Sequence, residues 1–277
     1  MHCNVTNVPI LMYHSIAYDA NRRFKPFTVS PSLFAEQMAY LSQHKYTPLT
    51  VTQFISARSH SALPLRPVLL TFDDGFADFA SNALPVLQQY GFTATLYVAT
   101  AYVNATSRWL FREGEARRTM LTWPQLVDIS SCGIECGAHS HSHYQLDVVS
   151  HTIAHNEIVQ SKQLLEQHLG MPVSSFAYPF GYYSSSVKAL VHAAGFTSAC
   201  AVKHALSSIN SDPFSLARLM VKANCGIDAF ASLLDGRLPA LAELLYIRSR
   251  TPLFQLARRG AAWLTHNPLG GIYKEQV

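Results

Sequence analysis

Pro67-Val68-Leu69-Leu70-Thr71-Phe72-Asp73-Asp74-Gly75 is an apolar run that ends in two carboxylates and a glycine. A short continuous apolar run suits a strand buried on both faces of a parallel sheet, and carboxylates just past it fall at the strand's C-terminal end. Open and closed α/β folds place their chemistry at that end. Adjacent carboxylates repel unless something compensates, so they serve to hold a cation or to divide the roles of ligand and base. Gly75 permits a tight turn; the plainer alternative is a solvated Asp-Asp-Gly turn.

Outward from this stretch, strand and helix patterns alternate. Residues 8–13 read as a strand that delivers His14 at its end. Ser30-Pro31 is a cap followed by proline, and Phe34, Met38 and Leu41 recur at helical spacing to about His44. Residues 46–51 read as a short strand. After the Asp-Asp turn, Leu84, Leu87 and Tyr90 mark a helix that Gly91 stops, and 93–98 is the next strand. Further strands are expected at 134–138, 175–178, 199–202 and 219–221, with helices from Trp123, over 153–169 and around Val187, Leu190 and Val191. Such alternation over some two hundred residues predicts a parallel sheet, wound open or closed into a barrel. Residues 106–120, with Arg108, Arg112, Arg117 and Arg118 around Trp109, break the pattern and read as a solvated surface insertion near the active face. Helical segments without strands follow Ile227. Residues 241–256 are leucine-rich with a basic side from Arg248 and Arg250; a helical cap is expected there, and weak contact with a membrane surface is the alternative.

The chain of 277 residues is 49% hydrophobic, ample for a packed core, and its 21 basic and 17 acidic residues leave only +4. That balance argues against nucleic acid as a partner. The start, Met1-His2-Cys3-Asn4-Val5-Thr6-Asn7, lacks the basic-then-apolar pattern of a secretory leader, and no apolar run reaches transmembrane length, so cytoplasmic residence is the expectation. Five scattered cysteines do not suit a disulfide framework. Cys132 and Cys136, read with a strand beginning between them, would share a face and act as small buried hydrophobes.

Gly137-Ala138-His139-Ser140-His141-Ser142-His143 follows an expected strand, so these imidazoles also project from a C-terminal end. His139 and His143, four apart, can face one point. With Asp74 they offer two nitrogens and one oxygen and leave positions open, as a catalytic divalent metal requires. His151 and His155 share that spacing on an exposed helix start and read as surface histidines. Phe176-Ala177-Tyr178-Pro179-Phe180-Gly181 is a strand-ending turn. It could be no more than that, or it could wall an apolar substrate group and offer the Phe180 N–H to a developing oxyanion.

An Asp-Asp turn, then His-Ser-x-x-His, then an aromatic-Pro-aromatic-Gly turn, in that order, resembles the polysaccharide deacetylase family, the NodB-homology group of carbohydrate esterase family four. The likeness runs from about Val8 to Val221. It implies a distorted (β/α) barrel of about seven parallel strands over residues 1–226, with a helical C-terminal extension at 227–277. It also implies a divalent metal, most often zinc, with cobalt, manganese, nickel or iron as alternatives, and hydrolysis of N-acetyl groups on amino sugars of a glycan. By match of motif, Asp73 is the general base, and Asp74, His139 and His143 are the metal ligands. Ala177 stands where many members carry an arginine that pairs with the catalytic aspartate. Arg218 resembles the arginine near the last strand that replaces it in another branch. For the general acid, His14 in Met12-Tyr13-His14 resembles the early histidine of members with a permuted barrel, whereas Leu264-Thr265-His266 is the literal match to the family's late motif. The start of the chain and Val29-Ser30-Pro31 look like the exopolysaccharide and capsule branch. An O-acetyl esterase or non-sugar amidase with the same site, or a sugar-binding protein without catalysis, are the alternatives.

Overall fold

The computed structural model describes residues 7–60, 62–237 and Gly260. Eight parallel strands build one curled sheet: β1 (Ile10–Tyr13), β2 (Thr47–Leu49), β3 (Pro67–Phe72), β4 (Thr95–Val98), β5 (Glu135–Ala138), β6 (Ser175–Ala177), β7 (Ser198–Cys200) and β8 (Leu219–Met220). The path runs β7-β6-β5-β4-β3-β1-β8, and β2 pairs with the N-terminal half of β3. Leu216 bridges Cys200 of β7 while Leu219 pairs with Leu11 of β1, so the two edges of the sheet meet through the last strand. The result is the distorted (β/α) barrel.

Alternation along each strand separates two apolar clusters. Leu11, Tyr13, Val68, Leu70, Phe72, Leu96, Val98, Cys136, Ala138 and Phe176 pack outward against the helices. Ile10, Leu69, Tyr97, Ala177, Cys200 and Leu216 meet inside the barrel, where Val51 and Phe54 join them from α2 (Val51–Ser59). Strand β3, apolar but for Thr71, is wholly buried because both of its faces are covered.

The helices begin where the caps stand. Ser30 caps α1 (Pro31–Gln43), and Thr50 and Thr122 form capping boxes with Gln53 and Gln125 at α2 and at the start of Trp123–Ser131. The helix His151–Leu169 opens with exposed His151 and His155, as expected of surface histidines. Cys132 departs from expectation. It closes Trp123–Ser131 as an exposed C-cap, and only Cys136 is a buried strand residue, because Gly133 turns the chain before β5 begins. The helix Ile227–Leu234 packs Phe230 and Leu234 into the outer core, with Phe230 edge-on to Tyr40 of α1. Residues 241–256 and His266 lie outside the described residues. Among the described residues, no helix is long and apolar enough to cross a membrane.

Candidate active site

In a parallel sheet every strand ends on the same rim, and the register levels those ends. Tyr13 lies opposite Phe72, and Val98 opposite Ala138. The residues one step beyond, His14, Asp73 and His139, therefore emerge around one opening. Asp73 is tied down by its N–H, which donates to the Tyr13 carbonyl at 3.0 Å, as His139 is to Val98 at 2.9 Å. Gly75, at φ +86°, takes the turn after the carboxylates, and a β-carbon there would stand 3.3 Å from Val98 Cγ1.

Asp73 and Asp74 point to different partners. Asp73 continues the inward alternation of Leu69 and Thr71 and meets Arg218, whose Nη1 and Nη2 donate to its two oxygens at 2.6 and 2.7 Å. Arg218 is fully buried. It also donates to Thr71 Oγ1 at 3.2 Å and lies 5.6 Å from the centre of the Tyr97 ring. Burial alone would raise the Asp73 carboxyl; the Arg218 charge and hydrogen bonds, with the neighbouring imidazoles, outweigh it and hold the group below its ordinary value.

Asp74, at φ +79°, turns away toward the histidines. Its Oδ1 is 3.1 Å from His143 Nε2 and 3.6 Å from His139 Nε2, and ligand atoms of the three residues lie within 4.8 Å of one another. Burial pushes the Asp74 carboxyl up, but adjoining His143, then the charges of His14 and His139, bring it down to about 2. Burial lowers His139 to about 4, more than the nearby aspartates raise it. A neutral His139 gives its Nδ1 proton to the Ala177 carbonyl at 2.8 Å, so its Nε2 lone pair faces the carboxylates. Asp74 Oδ1 is buried without a hydrogen-bond donor. A lone pair and an orphaned carboxylate oxygen turned toward each other could hold a cation between them, and this donor set suits a divalent metal.

The loop carrying the histidines is held in a costly conformation. Ser140 and His143 have φ +59° and +58°; Ser140 Oγ accepts from His143 N–H at 3.0 Å, and Glu157 accepts from Ser142 N–H at 2.6 Å. Phe180 and His204 also have positive φ, so with Asp74 and His143 four of the eight such non-glycine residues among the described ones line this opening. Strain concentrated in this way marks a site that the surrounding structure over-determines.

The cleft above these groups has a volume of ≈ 420 Å³. His14 stands on its rim with its ring 5.2 Å from Phe27, and Phe180, 46% exposed, lies 4.7 Å from the His143 ring. The sequence did not point to several other members. Trp109 lies 5.3 Å from the His143 ring, and Phe24, Tyr182 and His204 also line the cleft. Residues 106–120 are thus no plain solvated loop. Ser107, Leu110 and Met120 are buried, and Leu110 and Met120 cluster with Phe24 and Phe76. The tryptophan among arginines at 108–118 was the available signal; it placed the segment near the active face, but without a period it did not show which side chains turn into the cleft. Asp73, Asp74, His139, His143, His14, Phe180 and Arg218 all lie in or directly beneath this cleft; His266 lies outside the described residues.

The arrangement offers a triad able to hold a cation, a clamped carboxylate, an imidazole and an aromatic wall around one opening, which is equipment for adding water to a carbonyl. Among known proteins, residues 60–199 match the family described as polysaccharide deacetylase. YxkH of Bacillus subtilis, named for the same family, is 24% identical over 230 residues, covering 83% of this chain and 76% of its own. The poly-beta-1,6-N-acetyl-D-glucosamine N-deacetylase of Staphylococcus aureus is 22% identical over 226 residues, 78% of this chain and 74% of its own. The structure of the Streptococcus pyogenes deacetylase PplD in complex with acetate superposes with a TM-score of 0.72 at 26% identity, covering 82% of this chain and 98% of that one. With the barrel, the clamped aspartate and the Asp-His-His triad in place, these matches identify the chain as a member of the polysaccharide deacetylase family.

Proposed function

We propose that the protein removes N-acetyl groups from amino sugars of a polysaccharide or glycan precursor, with a divalent metal held by Asp74, His139 and His143. The observation that carries this reading is the division of labour between the adjacent aspartates. Arg218 clamps one, and two imidazoles face the other. The substrate in the S. aureus relative's name supports an N-acetylated glycan. Zinc suits two nitrogens and one oxygen best, with cobalt, manganese, nickel or iron as alternatives. When bound, the metal would polarise the acetyl carbonyl and make water more acidic.

This chain's residues do the rest. Asp73 takes a proton from the attacking water through lone pairs left over from its bonds to Arg218. Arg218 fixes the direction of that carboxylate and keeps it charged. The Phe180 N–H faces the oxygen on which negative charge develops. His14 gives a proton to the departing nitrogen, so water and the acetamide become acetate and a free amine. Trp109 and Phe180 wall the cleft against bulk water and sugar faces alike.

The test is acetate release from N-acetylglucosamine oligomers, β-1,6-linked ones included, by protein stripped of metal and then supplied with zinc, cobalt or manganese. Metal-dependent release is expected, with none from Asp74→Ala. Release from O-acetyl esters alone would make the protein an esterase, and oligomer binding without release from metal-loaded protein would make it a sugar binder. His14→Ala should lower turnover by roughly two to four orders of magnitude. Full activity in that variant with loss in His266→Ala would move the acid role to His266.

A further inference from the structure

Beside the cleft lies a second concavity, ≈ 440 Å³ in volume, between residues 21–23 and residues 111–114. The two stretches are clipped together. Arg23 Nη1 donates to the Arg112 carbonyl at 2.9 Å, Asn21 Nδ2 donates to the Gly114 carbonyl at 3.0 Å, and the Asn21 N–H donates to the Glu115 carboxylate. Gly114, at φ +76°, allows the close approach, since a β-carbon there would stand 2.7 Å from Asn21 Nδ2.

The clip brings three exposed guanidinium groups, those of Arg22, Arg23 and Arg112, around one hollow. Among the described residues none of the three forms an ion pair. The nearby acids are engaged elsewhere, Glu115 and Asp78 each with Arg118 at 3.3 Å. Glu113 sits on the border with the cleft, so the hollow keeps a net charge of +2, three arginines less one glutamate. Like charges gathered without a counter-charge repel, and an anion between them relieves that repulsion. The planar guanidinium fork matches phosphate and carboxylate oxygens.

Position ties the hollow to the reaction. The stretch Arg108–Glu113, two 3₁₀ turns joined at a kink at Leu110, gives Trp109 and Leu110 to the cleft and Phe111 and Arg112 to the hollow, and Glu113 lines both. Trp109 and Arg112 are three residues apart, so even a fully extended chain would place them no more than about 11 Å from each other. A glycan leaving the cleft on this side crosses the hollow within a sugar unit or two. We propose that the hollow is an anion subsite, which takes a phosphate or carboxylate group carried by the glycan near the acetamido sugar. This assignment rests on the deacetylase reading of the cleft for its meaning, but not for its test.

The test compares three oligomers of equal length on the metal-loaded wild-type protein: neutral N-acetylglucosamine, the same chain with a 1-phosphate, and one carrying a uronate. Calorimetric affinity and acetate release are both read. One anionic oligomer should bind about tenfold more tightly than the neutral one at low salt, and the preference should shrink as salt is raised. Which of the two does so identifies the group. The double variant Arg22→Ala/Arg112→Ala, altered only at exposed side chains, should lose the preference and keep its affinity for the neutral oligomer. Equal affinity of the wild type for all three oligomers would overturn the assignment, as would a preference that survives in the double variant. Preference without acetate release would keep the subsite and remove the deacetylase reading, and release without preference would do the reverse.

Discussion

Arg218 reaches Asp73 across 145 residues of sequence and is the largest fully buried side chain among those described. Its place follows from alternation: Leu219 packs outward, so Arg218 one step earlier points into the barrel, under the rim where Asp73 ends its own inward run. Ala177 packs inside the barrel, and its carbonyl is the acceptor for His139. Replacing Arg218 with Met would leave a buried carboxylate without its partner, at a cost of about 3–5 kcal/mol. Arg218→Lys keeps a charge but loses the two-pronged geometry. Its Asp73 pKa should rise, because the bonds that held it down are weakened. In the proposed mechanism Asp73 is the base and must be ionised, so activity should be present above its pKa and lost below it. The acidic limb of the kcat/KM profile should therefore move to higher pH, with turnover down about a hundredfold. An unmoved limb in Arg218→Lys would separate Arg218 from the proton chemistry.

At the level of elements, residues 106–120 change most between sequence and structure. Their arginines suggested a solvated insertion, yet Arg118 is fastened from several sides. It donates to Ser15 Oγ and the Asp19 carbonyl, both at 3.0 Å, pairs with Asp78 and Glu115, and lies over the Phe24 and Phe76 rings. Backbone bonds from Ala77 to Thr119 and from Leu121 to Gly75 join this segment to the Asp-Asp turn itself. The wall that carries Trp109 is therefore held by the same turn that positions the carboxylates. Arg118→Ala should lower stability by about 2 kcal/mol and raise KM severalfold while kcat falls little, since the groups that move protons stay in place. Thermal unfolding and steady-state kinetics on one preparation test this. A kcat loss equal to the rise in KM would mean that the wall also orients the reacting groups.

For the whole molecule, burying unlike titratable groups around one opening makes stability depend on pH. His139 is held neutral down to about pH 4, while in the unfolded chain it takes up a proton near 6.5. Between those values the unfolded state binds more protons, so metal-free protein should lose stability as pH falls from about 6.5 to 4. Asp74, lowered to about 2, adds a second loss below its ordinary value near 3.8. The melting temperature of chelator-treated protein should fall along this course, and the His139→Gln variant should lose the upper part of it. A flat melting curve between pH 6.5 and 4 would contradict the buried neutral imidazole. Much of this architecture is written in contiguous residues. The apolar runs, the caps and the carboxylates and imidazoles just past strand ends obey short-range periods, so the parallel sheet and the shared rim of Asp73, Asp74, His139 and His143 were legible from the chain, while its closing into a barrel was implied by the family resemblance. Only folding decided that residues 106–120 pack into that rim instead of standing off as a solvated loop, that Phe24, Tyr182 and His204 join it, and that residues 21–23 meet residues 111–114. Those contacts join segments far apart in sequence through the closing of a curled sheet, and no local spacing encodes which distant side chain a closing sheet brings near.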